Sequence, residues 1–387
     1  MSPPIPAAPG GSVPARVALV HDWLTGMRGG ERVLEQLTVR FPQAPLYTLF
    51  HVPGSVSSSL ENRAIHSSFL QQLPGIAAHY RQLLPLFPLA AADLDLEPYD
   101  LVVSTSHCVA KAVRVRADAW HVCYCHTPMR YVWDQRDAYF PDRLGLLAGL
   151  RHRILDELGR WDAASNEDVD VFVANSTFVR DRIRRHYLRD AEVVPPPIDT
   201  DFFDIADPGH DGPSSEYVLS VATLAPYKRI DIAAAACKQL GLELVVPGRA
   251  PTRTLARVLE AQGVRFLGFV SPERLRDLYR DALCFLQPGV EDFGMSVVEA
   301  LACGCPVVAL EEGGACDIVV EGEHGLLVNE AESADAFADA IDKVRRIHFN
   351  ELNLRSRALE FSTPKFHERM DSLFQSLPRP TPGSVAS

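Results

Sequence analysis

The sequence predicts an α/β protein with two parallel β-sheets, each covered by helices. The chain has 387 residues, which is more than one hydrophobic core normally organises, so two domains are expected. Short apolar runs of strand length alternate with helical patterns along most of the chain. Because a strand, a helix and a second strand form a parallel crossover, this alternation predicts parallel sheets with helices on their faces.

The first alternation starts near residue 16. The run ARVALV predicts a strand, HDWLTGMRGG a glycine-containing loop, and ERVLEQLTVRF has the spacing of an amphipathic helix. Further strands are predicted at YDLVVSTS, WHVCYC and VDVFVANS. We expect a disordered tail over residues 1–15 and an amino-terminal domain over residues 16–200.

A linker rich in proline and aspartate is expected over residues 201–215. A second alternation over residues 216–363 predicts the carboxy-terminal domain. A helix is expected over residues 364–377, and we expect it to return to the first domain. A disordered tail is expected over residues 378–387. The predicted strands of this half are YVLSV, LELVVPG, VRFLGFV, LCFLQPG and PVVAL. The predicted helices are RIDIAAAACKQLG, TRTLARVLEAQG, SPERLRDLYRDA, a segment that ends at Cys303-Gly304, and SADAFADAIDKVRRI.

Composition argues against several classes of function. The formal net charge of −12 does not suit a protein whose main partner is nucleic acid. Neither a targeting segment nor an apolar run of membrane-spanning length is visible, so a cytoplasmic protein is expected. The pairs Cys123/Cys125 and Cys303/Cys305 lack the usual zinc-ligand spacing and are expected to be buried, reduced thiols.

Two glutamates near the end of the predicted strand LCFLQPG are the first candidate ligand-binding residues. We expect a helix to start near Ser296, with this residue as its N-cap. Glu291 then lies in the loop and Glu299 in the first helical turn, where both carboxylates can accept hydrogen bonds from sugar hydroxyls. Backbone N–H groups around Gly294 and Met295 are expected to bind an anion. The alternative is a pair of solvated acids favoured by the helix dipole.

Lys228 and a glycine loop are further candidates. Lys228 is predicted to begin a helix after the strand YVLSV. An ammonium at a helix start suits the binding of a diphosphate. The alternative is an ordinary surface lysine beside Asp231, which has the same sequence pattern. Gly29 and Gly30 in TGMRGGE permit close backbone approach to a ligand, but an ordinary turn has the same composition. The loop lacks the G-x-G-x-x-G spacing of dinucleotide-binding folds.

His126 is the fourth candidate, because it follows the predicted strand WHVCYC. The carboxyl ends of strands form the functional face of an α/β domain, and the charged and aromatic residues that follow suit a polyol ligand. They are Arg130, Tyr131, Trp133 and Asp134. A hydrogen-bonded structural histidine is the alternative. The other histidines show no ligand spacing, so no metal site is expected.

Together these segments resemble glycosyltransferase family 4, the retaining transferases of the GT-B architecture. The resemblance extends over residues 16–374. Its most specific parts are Glu291-x7-Glu299 in PGVEDFGMSVVEALACGCPVVAL, the run PYKRID, ANSTFVRDRI, VVPPPIDTDFF and the GGE loop. YCHTPMRYVWD, preceded by TSHCVAKAV, is similar to the branch that includes mannosyltransferases of O-antigen and exopolysaccharide assembly. The resemblance implies two Rossmann-like domains whose parallel sheets face a central cleft.

The resemblance also implies roles for individual residues. Glu291 is expected to contact hydroxyls of the donor sugar, Glu299 the nucleotide ribose, and Lys228 the diphosphate. Gly294 and Met295 are expected to present N–H groups to the sugar or phosphate. The remaining implied contacts are His126 with the donor sugar, Gly29 and Gly30 along the phosphate and acceptor side, and Arg130, Trp133 and Asp134 on the acceptor side.

Two positions depart from the family pattern. Thr223 stands where members commonly carry an arginine, five residues before Lys228. Since cations stabilise a leaving diphosphate, there are two alternatives: another arginine, such as Arg229 or Arg249, supplies the missing charge, or the donor chemistry is altered or weak. Ser296, where the branch frequently has proline, is a milder difference.

The expected function is retaining, metal-independent transfer of a hexose without a cofactor. Mannose is the first choice, the donor is GDP-mannose or a UDP-hexose, and the acceptor is a glycan or a polyprenyl-linked sugar. Residues 66–70 and 80–89 mix basic and apolar residues and suit peripheral membrane contact, although an amphipathic helix packed on the sheet is an equal alternative. The competing functions are a non-catalytic sugar-nucleotide-binding protein, supported by Thr223, and a dehydrogenase, disfavoured by the glycine loop.

Overall fold

The structure is a computed structural model that describes residues 16–134, 136, 148–205, 217–221, 226–248 and 252–377. The predicted tails at 1–15 and 378–387, most of the predicted linker, and both Thr223 and Arg249 lie outside these residues.

Seven strands form the first sheet. Their bounds are β1 Val17–His21, β2 Leu46–Thr48, β3 Ile65–Ser67, β4 Leu101–Ser106, β5 Trp120–Cys125, β6 Val171–Ala174 and β7 Glu192–Val193. The strand order is β3-β2-β1-β4-β5-β6-β7, and β1 pairs in parallel with both β2 and β4. The four strands predicted from the sequence are confirmed. β2, β3 and β7, each of two or three residues, were not predicted.

Helices follow most of these strands. Their bounds are α1 Gly29–Arg40, α2 Ser58–Glu61, α3 Ile76–His79, α4 Phe87–Ala92, α5 Ala148–Ala164 and α6 Thr177–Tyr187. Three short 3-10 segments also occur, at Phe69–Gln72, Tyr80–Leu86 and Ala110–Ala112. Helix α1 buries Val33, Leu34 and Leu37, as the helical spacing predicted.

Six parallel strands form the second sheet, in the order β10-β9-β8-β11-β12-β13. Their bounds are β8 Tyr217–Leu219, β9 Glu243–Pro247, β10 Val264–Gly268, β11 Cys284–Gln287, β12 Val307–Leu310 and β13 Gly325–Val328. The five predicted strands are confirmed, and β13 is an additional edge strand. A Cβ on Gly325 would lie 2.7 Å from the carbonyl carbon of Val307, so glycine lets β13 approach β12.

The helices of this second part are regular and mostly follow the prediction. Their bounds are α7 Ile230–Leu240, α8 Arg253–Glu260, α9 Pro272–Asp281, α10 Met295–Ala302, α11 Ala315–Ile318, α12 Ala334–Val344, α13 Glu351–Leu359 and α14 Thr363–Ser376. Gly304 follows the end of α10 with φ 79°, which confirms the predicted left-handed residue at this position. Helices α11 and α13 were not predicted, since α11 is a single turn and α13 has a weak apolar stripe.

Contacts divide the described chain into two compact units. The first contains residues 16–124 and 157–172, and the second contains residues 125–156 and 173–377. The apolar core around the second sheet occupies both of its faces, with Val218, Leu244 and Leu286 on one side and Leu219, Val245 and Phe285 on the other. This two-sided burial is the pattern of a parallel sheet covered by helices, and it confirms the predicted α/β class.

The cysteine pairs lie in the cores of these sheets. Cys123, Cys125, Cys303 and Cys305 are all buried free thiols, as expected. Burial raises the pKa of the Cys123 thiol to about 12, so this group is neutral at physiological pH.

The amphipathic segment over residues 80–89 is partly core-forming. Leu84 and Phe87 are buried, and the Phe87 ring lies 5.8 Å from that of Trp23, whereas Leu89 is exposed. These contacts are those of a helical segment packed within its own unit. Among the described residues, every helix is too short or too polar to cross a bilayer.

Candidate active site

The loop between β11 and α10 carries the first predicted glutamate. Helix α10 begins at Met295, and its N-cap is Gly294 with φ 96° and ψ 57°. The prediction of Ser296 as N-cap is therefore wrong, because the chain turns into the helix through a left-handed residue that glycine adopts readily. The loop ends two residues earlier than predicted, and Glu299 consequently lies in the second helical turn instead of the first.

Glu291 and Lys228 form an ion pair at the carboxyl end of the second sheet. Lys228 ends a short 3-10 turn, Pro226–Lys228, and α7 begins only at Ile230, so the prediction that Lys228 starts a helix is wrong. The ammonium and carboxylate are 21% and 15% exposed, respectively, which leaves the pair accessible to a ligand. The alternative of a surface lysine beside Asp231 does not hold.

Lys228 has an unusual electrostatic environment. Burial lowers the pKa of its ammonium to about 8, and the positive charge of Arg130 acts in the same direction. The negative charge of Asp292 favours the charged form and opposes both effects. The ammonium is therefore a cation that stays charged at neutral pH but loses its proton more easily than an exposed lysine.

Gly289 fixes the spacing between the Lys228 turn and the Glu291 loop. A Cβ at this position would overlap the carbonyl oxygen of Tyr227 and lie 2.8 Å from Cα of Lys228. Any larger residue would push the two segments apart. The sequence analysis did not identify Gly289, although the glycine that directly follows β11 was a visible signal.

Two further glycines support the Glu291 loop from the segment after β12. The N–H of Gly314 donates to the carbonyl oxygen of Glu291 at 2.9 Å, and a Cβ on Gly314 would overlap the backbone of Phe293. Gly313 adopts φ 85° and lies against the same loop. The sequence analysis missed both residues, since their role depends on a backbone contact that periodicity does not reveal.

Glu299 is buried and hydrogen-bonded. It is 5% exposed, and the Tyr279 hydroxyl donates to its Oε2 at 3.0 Å. Burial raises the pKa of Tyr279, and the neighbouring Glu299 charge raises it further, so the hydroxyl remains a donor. The alternative of a solvated helix-start acid is wrong for Glu299, because its side chain points into the packed face of α10.

Asp292, directly after Glu291, is the centre of a cluster of arginines. Its carboxylate pairs with Arg130 and accepts from Arg182 Nη1 at 2.6 Å, while its carbonyl oxygen accepts from the Ser176 hydroxyl. Arg182 also pairs with Asp134, and Nη1 donates to the Thr127 hydroxyl at 2.5 Å. The paired charges and added hydrogen bonds compensate for the burial of Asp292.

The residues assigned to the acceptor side adjoin this cluster. Arg130 pairs with Asp292 and lies 5.2 Å from the Tyr227 ring, which places it beside Lys228. Trp133 stacks on His186 with 4.6 Å between ring centroids, and Asp134 pairs with Arg182. The structure therefore brings Arg130 next to the Lys228–Glu291 pair, a proximity that sequence order did not indicate.

His126 lies at the end of β5, as predicted. Its backbone carbonyl oxygen accepts from Asn175 Nδ2 at 3.0 Å, and its side chain is partly buried. The next residue, Thr127, contacts Arg182, so His126 adjoins the same cluster through the backbone.

Arg229 has carboxylate partners of its own. Its guanidinium contacts Glu332 at 2.8 Å and Asp231 at 3.1 Å, and these hydrogen bonds raise its pKa above the ordinary value. Arg229 is also the left-handed N-cap of α7, with φ 51°. Its side chain is thus directed to Glu332 and Asp231.

A cavity of about 870 Å³ within the second unit adjoins these groups. Five arginines and four carboxylates contribute to its wall, which suits a polar, charged ligand. The lining residues are Arg130, Trp133, Asp134, Arg136, His152, Phe178, Arg182, Arg185, Tyr227, Arg229, Pro288, Gly289, Val290, Asp292, Leu310, Glu312, Ala331 and Glu332.

The glycine loop belongs to the first unit. Gly29 and Gly30 form the first turn of α1 instead of a loop, and the N–H of Arg28 donates to the Glu31 carboxylate at 3.1 Å. The prediction of a glycine loop at these two residues is therefore wrong. Their N–H groups belong to a helix start, which is a geometry that can bind an anion.

A buried aspartate near the same helix was missed by the sequence analysis. Asp22 follows β1, and its carboxylate accepts four backbone N–H groups from residues 107–110 at 2.6–3.0 Å. The His107 ring nitrogen lies 3.0 Å away. Burial by itself raises the pKa of Asp22, but the contacts with His107 and His21 outweigh it and hold the pKa well below the ordinary range.

Within the part of the chain that the structure describes, histidine, cysteine, aspartate and glutamate form no group suited to a metal ion.

Comparison with protein families gives two matches. A model described as Glycosyltransferase Family 4 matches residues 27–202, and one described as Glycosyl transferases group 1 matches residues 206–358.

Among curated proteins, the chain is similar to enzymes named D-inositol 3-phosphate glycosyltransferase. It is 33% identical to that of Rhodococcus opacus over 43% of this chain and 43% of the relative. It is 27% identical to that of Corynebacterium aurimucosum over 64% of this chain and 67% of the relative. The chain thus spans less than half the length of the Rhodococcus relative.

Solved structures with the same fold cover nearly the whole chain. Anabaena Alr3699/HepE in complex with UDP-glucose has a TM-score of 0.67 at 18% identity, covering 93% of this chain and 100% of that one. Sucrose-phosphate synthase from Thermosynechococcus elongatus has a TM-score of 0.69 at 19% identity, covering 93% and 98%. At this level of identity the likeness establishes the shared fold.

Proposed function

Since the chain belongs to the family 4 glycosyltransferases with the GT-B fold, we propose that it transfers a hexose from a nucleoside diphosphate sugar with retention of configuration. The observation that carries this proposal is the Lys228–Glu291 ion pair at the carboxyl end of the second sheet. This edge is where open parallel α/β sheets bind ligands. The pair provides a cation for a diphosphate and, beside it, an acceptor for sugar hydroxyls.

The proposed reaction depends on positioning and electrostatics. The bond between the anomeric carbon and the donor phosphate breaks, and the acceptor hydroxyl oxygen bonds to the same face of that carbon. The departing phosphate takes the hydroxyl proton, so a protein nucleophile is not required. Lys228 stabilises the charge that develops on the diphosphate, and Glu291 and His126 orient the sugar.

Other residues have supporting roles in this proposal. Glu299, held by Tyr279, is assigned to the nucleotide ribose, and the N–H groups of Gly294 and Met295 to the sugar or phosphate. Gly29 and Gly30, at the start of α1, are assigned to the phosphate and acceptor side.

The substrates proposed for the chain are GDP-mannose as donor and a glycan or polyprenyl-linked sugar as acceptor, without a metal or cofactor. The choice of mannose as the transferred sugar is based on the similarity of YCHTPMRYVWD to one branch of the family. The curated relatives are named for an inositol phosphate acceptor, and one structural neighbour was solved with UDP-glucose. Inositol phosphate as acceptor and UDP-glucose as donor are therefore the competing substrates to include in a test.

Thermal-shift measurements with GDP, UDP, ADP and their common sugars will identify the donor, and transfer or hydrolysis of that donor will establish catalysis. Retention is read from the anomeric configuration of the product by NMR. Glu291→Ala serves as the inactive control. Binding of a nucleotide sugar without hydrolysis or transfer, across a panel of acceptors, would support the non-catalytic alternative instead. Absence of binding to every nucleotide would contradict the proposal.

A further inference from the structure

A second cation lies beside Lys228 in the described structure. The Lys228 ammonium and the Arg130 guanidinium are 5.5 Å and 5.2 Å from the centre of the same Tyr227 ring. Each cation pairs with one of two consecutive carboxylates, Lys228 with Glu291 and Arg130 with Asp292. Two adjacent cations are thus held by one loop, at the edge of the sheet where we place the donor.

We infer that Arg130 is a second ligand of the donor diphosphate, and that it exchanges its internal partner Asp292 for a phosphate when the donor binds. This inference rests on the proposed function and adds a residue to the proposed diphosphate site. It also moves Arg130 from the acceptor side, where the sequence analysis put it, to the donor.

Accessibility supports the exchange. The Arg130 side chain is 18% exposed and lines the cavity of about 870 Å³, whereas Arg182 is only 6% exposed. A ligand in the cavity can therefore reach Arg130 with little rearrangement. A guanidinium also presents two parallel N–H donors, which match the oxygens of a phosphate as well as they match a carboxylate.

The charge on Asp292 explains why Arg130 can leave it. A buried carboxylate that loses its only cation is strongly destabilised. Asp292 keeps a second cation, because Arg182 remains at 2.6 Å and is itself held by Asp134 and Thr127. The Asp292 carbonyl oxygen also keeps its hydrogen bond from Ser176. Asp292 therefore holds Arg130 in place without depending on it.

The two neighbouring cations repel each other, and a bound diphosphate would remove this repulsion. The positive charge of Arg130 is one reason why the pKa of Lys228 is lowered. An anion between the two would relieve their mutual repulsion. Arg229, in contrast, faces Asp231 and Glu332, so Arg130 is the better placed of the two arginines to contribute the second charge.

Calorimetric titration of the full chain with UDP, GDP and ADP tests this inference. For the nucleoside diphosphate that the wild type binds best, Arg130→Ala is expected to weaken binding by about 10- to 100-fold, the range for losing a charged hydrogen bond. Arg130→Lys should recover part of the loss, because it restores the charge without the paired donors. Arg346→Ala, which removes an exposed arginine that does not line the cavity, is the charge control and should bind as the wild type does.

Asp292→Asn distinguishes a ligand from a residue that only positions the loop. If Arg130 binds the diphosphate, removal of the competing carboxylate charge should leave affinity unchanged or increase it. If Arg130 only anchors the loop through Asp292, Asp292→Asn should weaken binding as much as Arg130→Ala does, which would overturn the inference. Unchanged affinity in Arg130→Ala, or no recovery with lysine, would overturn it as well. Failure of the wild type to bind any of the three nucleotides would instead contradict the proposed function itself.

Discussion

The ammonium of Lys228 and the carboxylate of Glu291 form an ion pair although they come from different strand-to-helix connections of the second sheet. The strands that precede them, β8 and β11, are neighbours in that sheet. Gly289 then allows the backbone of the two connections to touch. The pair is therefore a consequence of strand order together with one glycine.

Removal of either member of this pair should abolish most of the activity. We expect Lys228→Ala and Glu291→Ala each to lower the rate of sugar transfer by about a hundredfold or more, as for other positioned electrostatic groups. Because the two groups contact one another, the double variant should lose less than the product of the single losses. Steady-state kinetics with the identified donor checks this, and near-normal turnover in both single variants would refute the site assignment.

The lowered pKa of Lys228 predicts an alkaline limit to activity. The ammonium is charged below its pKa of about 8 and neutral above it, so kcat/KM for the donor should fall as the pH rises through about 8. An arginine remains charged throughout this range. Lys228→Arg should therefore remove the alkaline decline while lowering the maximum rate, and a decline that persists near pH 8 in this variant would assign it to another group.

Gly289→Ala should reduce activity by displacing the Lys228 turn. A Cβ there overlaps the Tyr227 carbonyl oxygen, and a displacement of about 1 Å can cost roughly a hundredfold in rate. Gly149→Ala is the matched control, since nothing lies within 4 Å of a Cβ at this exposed helical position. The control should retain full activity and gain up to about 1 kcal/mol of unfolding free energy. Equal activities in the two variants would contradict the proposed contact.

His121 should make the protein less stable in mild acid. Burial lowers its pKa to about 4, and its ring contacts Ser104 and the carbonyl oxygen of Asp168 at 2.8 and 3.0 Å. The unfolded chain binds a proton near pH 6.5 while the native state does not, so the free energy of unfolding falls between pH 6.5 and 4, by up to about 3 kcal/mol.

Denaturant unfolding at pH 7 and pH 5 measures this loss. His121→Gln should show a smaller difference between the two pH values than the wild type, although its stability at pH 7 is lower. Replacement of the exposed His348 by glutamine is the control and should leave the difference unchanged. An unchanged difference in His121→Gln would show that other groups cause the acid sensitivity.

Chelation should leave activity intact. The sequence shows no metal-ligand spacing, and the proposed chemistry uses Lys228 and Arg130 as its cations. We expect the rate of transfer in excess EDTA to match the rate without EDTA. Loss of activity in EDTA that Mn²⁺ or Mg²⁺ restores would contradict metal independence.

The sequence by itself determined the α/β class, nine of the thirteen described strands, and the candidates Lys228, Glu291 and Glu299. These features depend on local periodicity and on residues next to strand ends, which a linear pattern contains. The sequence did not predict the short strands β2, β3 and β7, because these strands are defined by their pairing with neighbouring strands. The start of α10 was misplaced because Gly294, through a positive φ, caps the helix in place of Ser296.

Only the tertiary structure decided which of these residues act together. It paired Lys228 with Glu291, directed Arg229 to Glu332, and buried Glu299 against Tyr279. It also brought Arg130 to Asp292, a contact between segments that no spacing in the sequence connects. Strand order and close backbone packing at glycines set these distances, and both are properties of the folded sheet. The sequence therefore supplied several of the charged candidates, whereas their pairing and the glycines that permit it came from the structure.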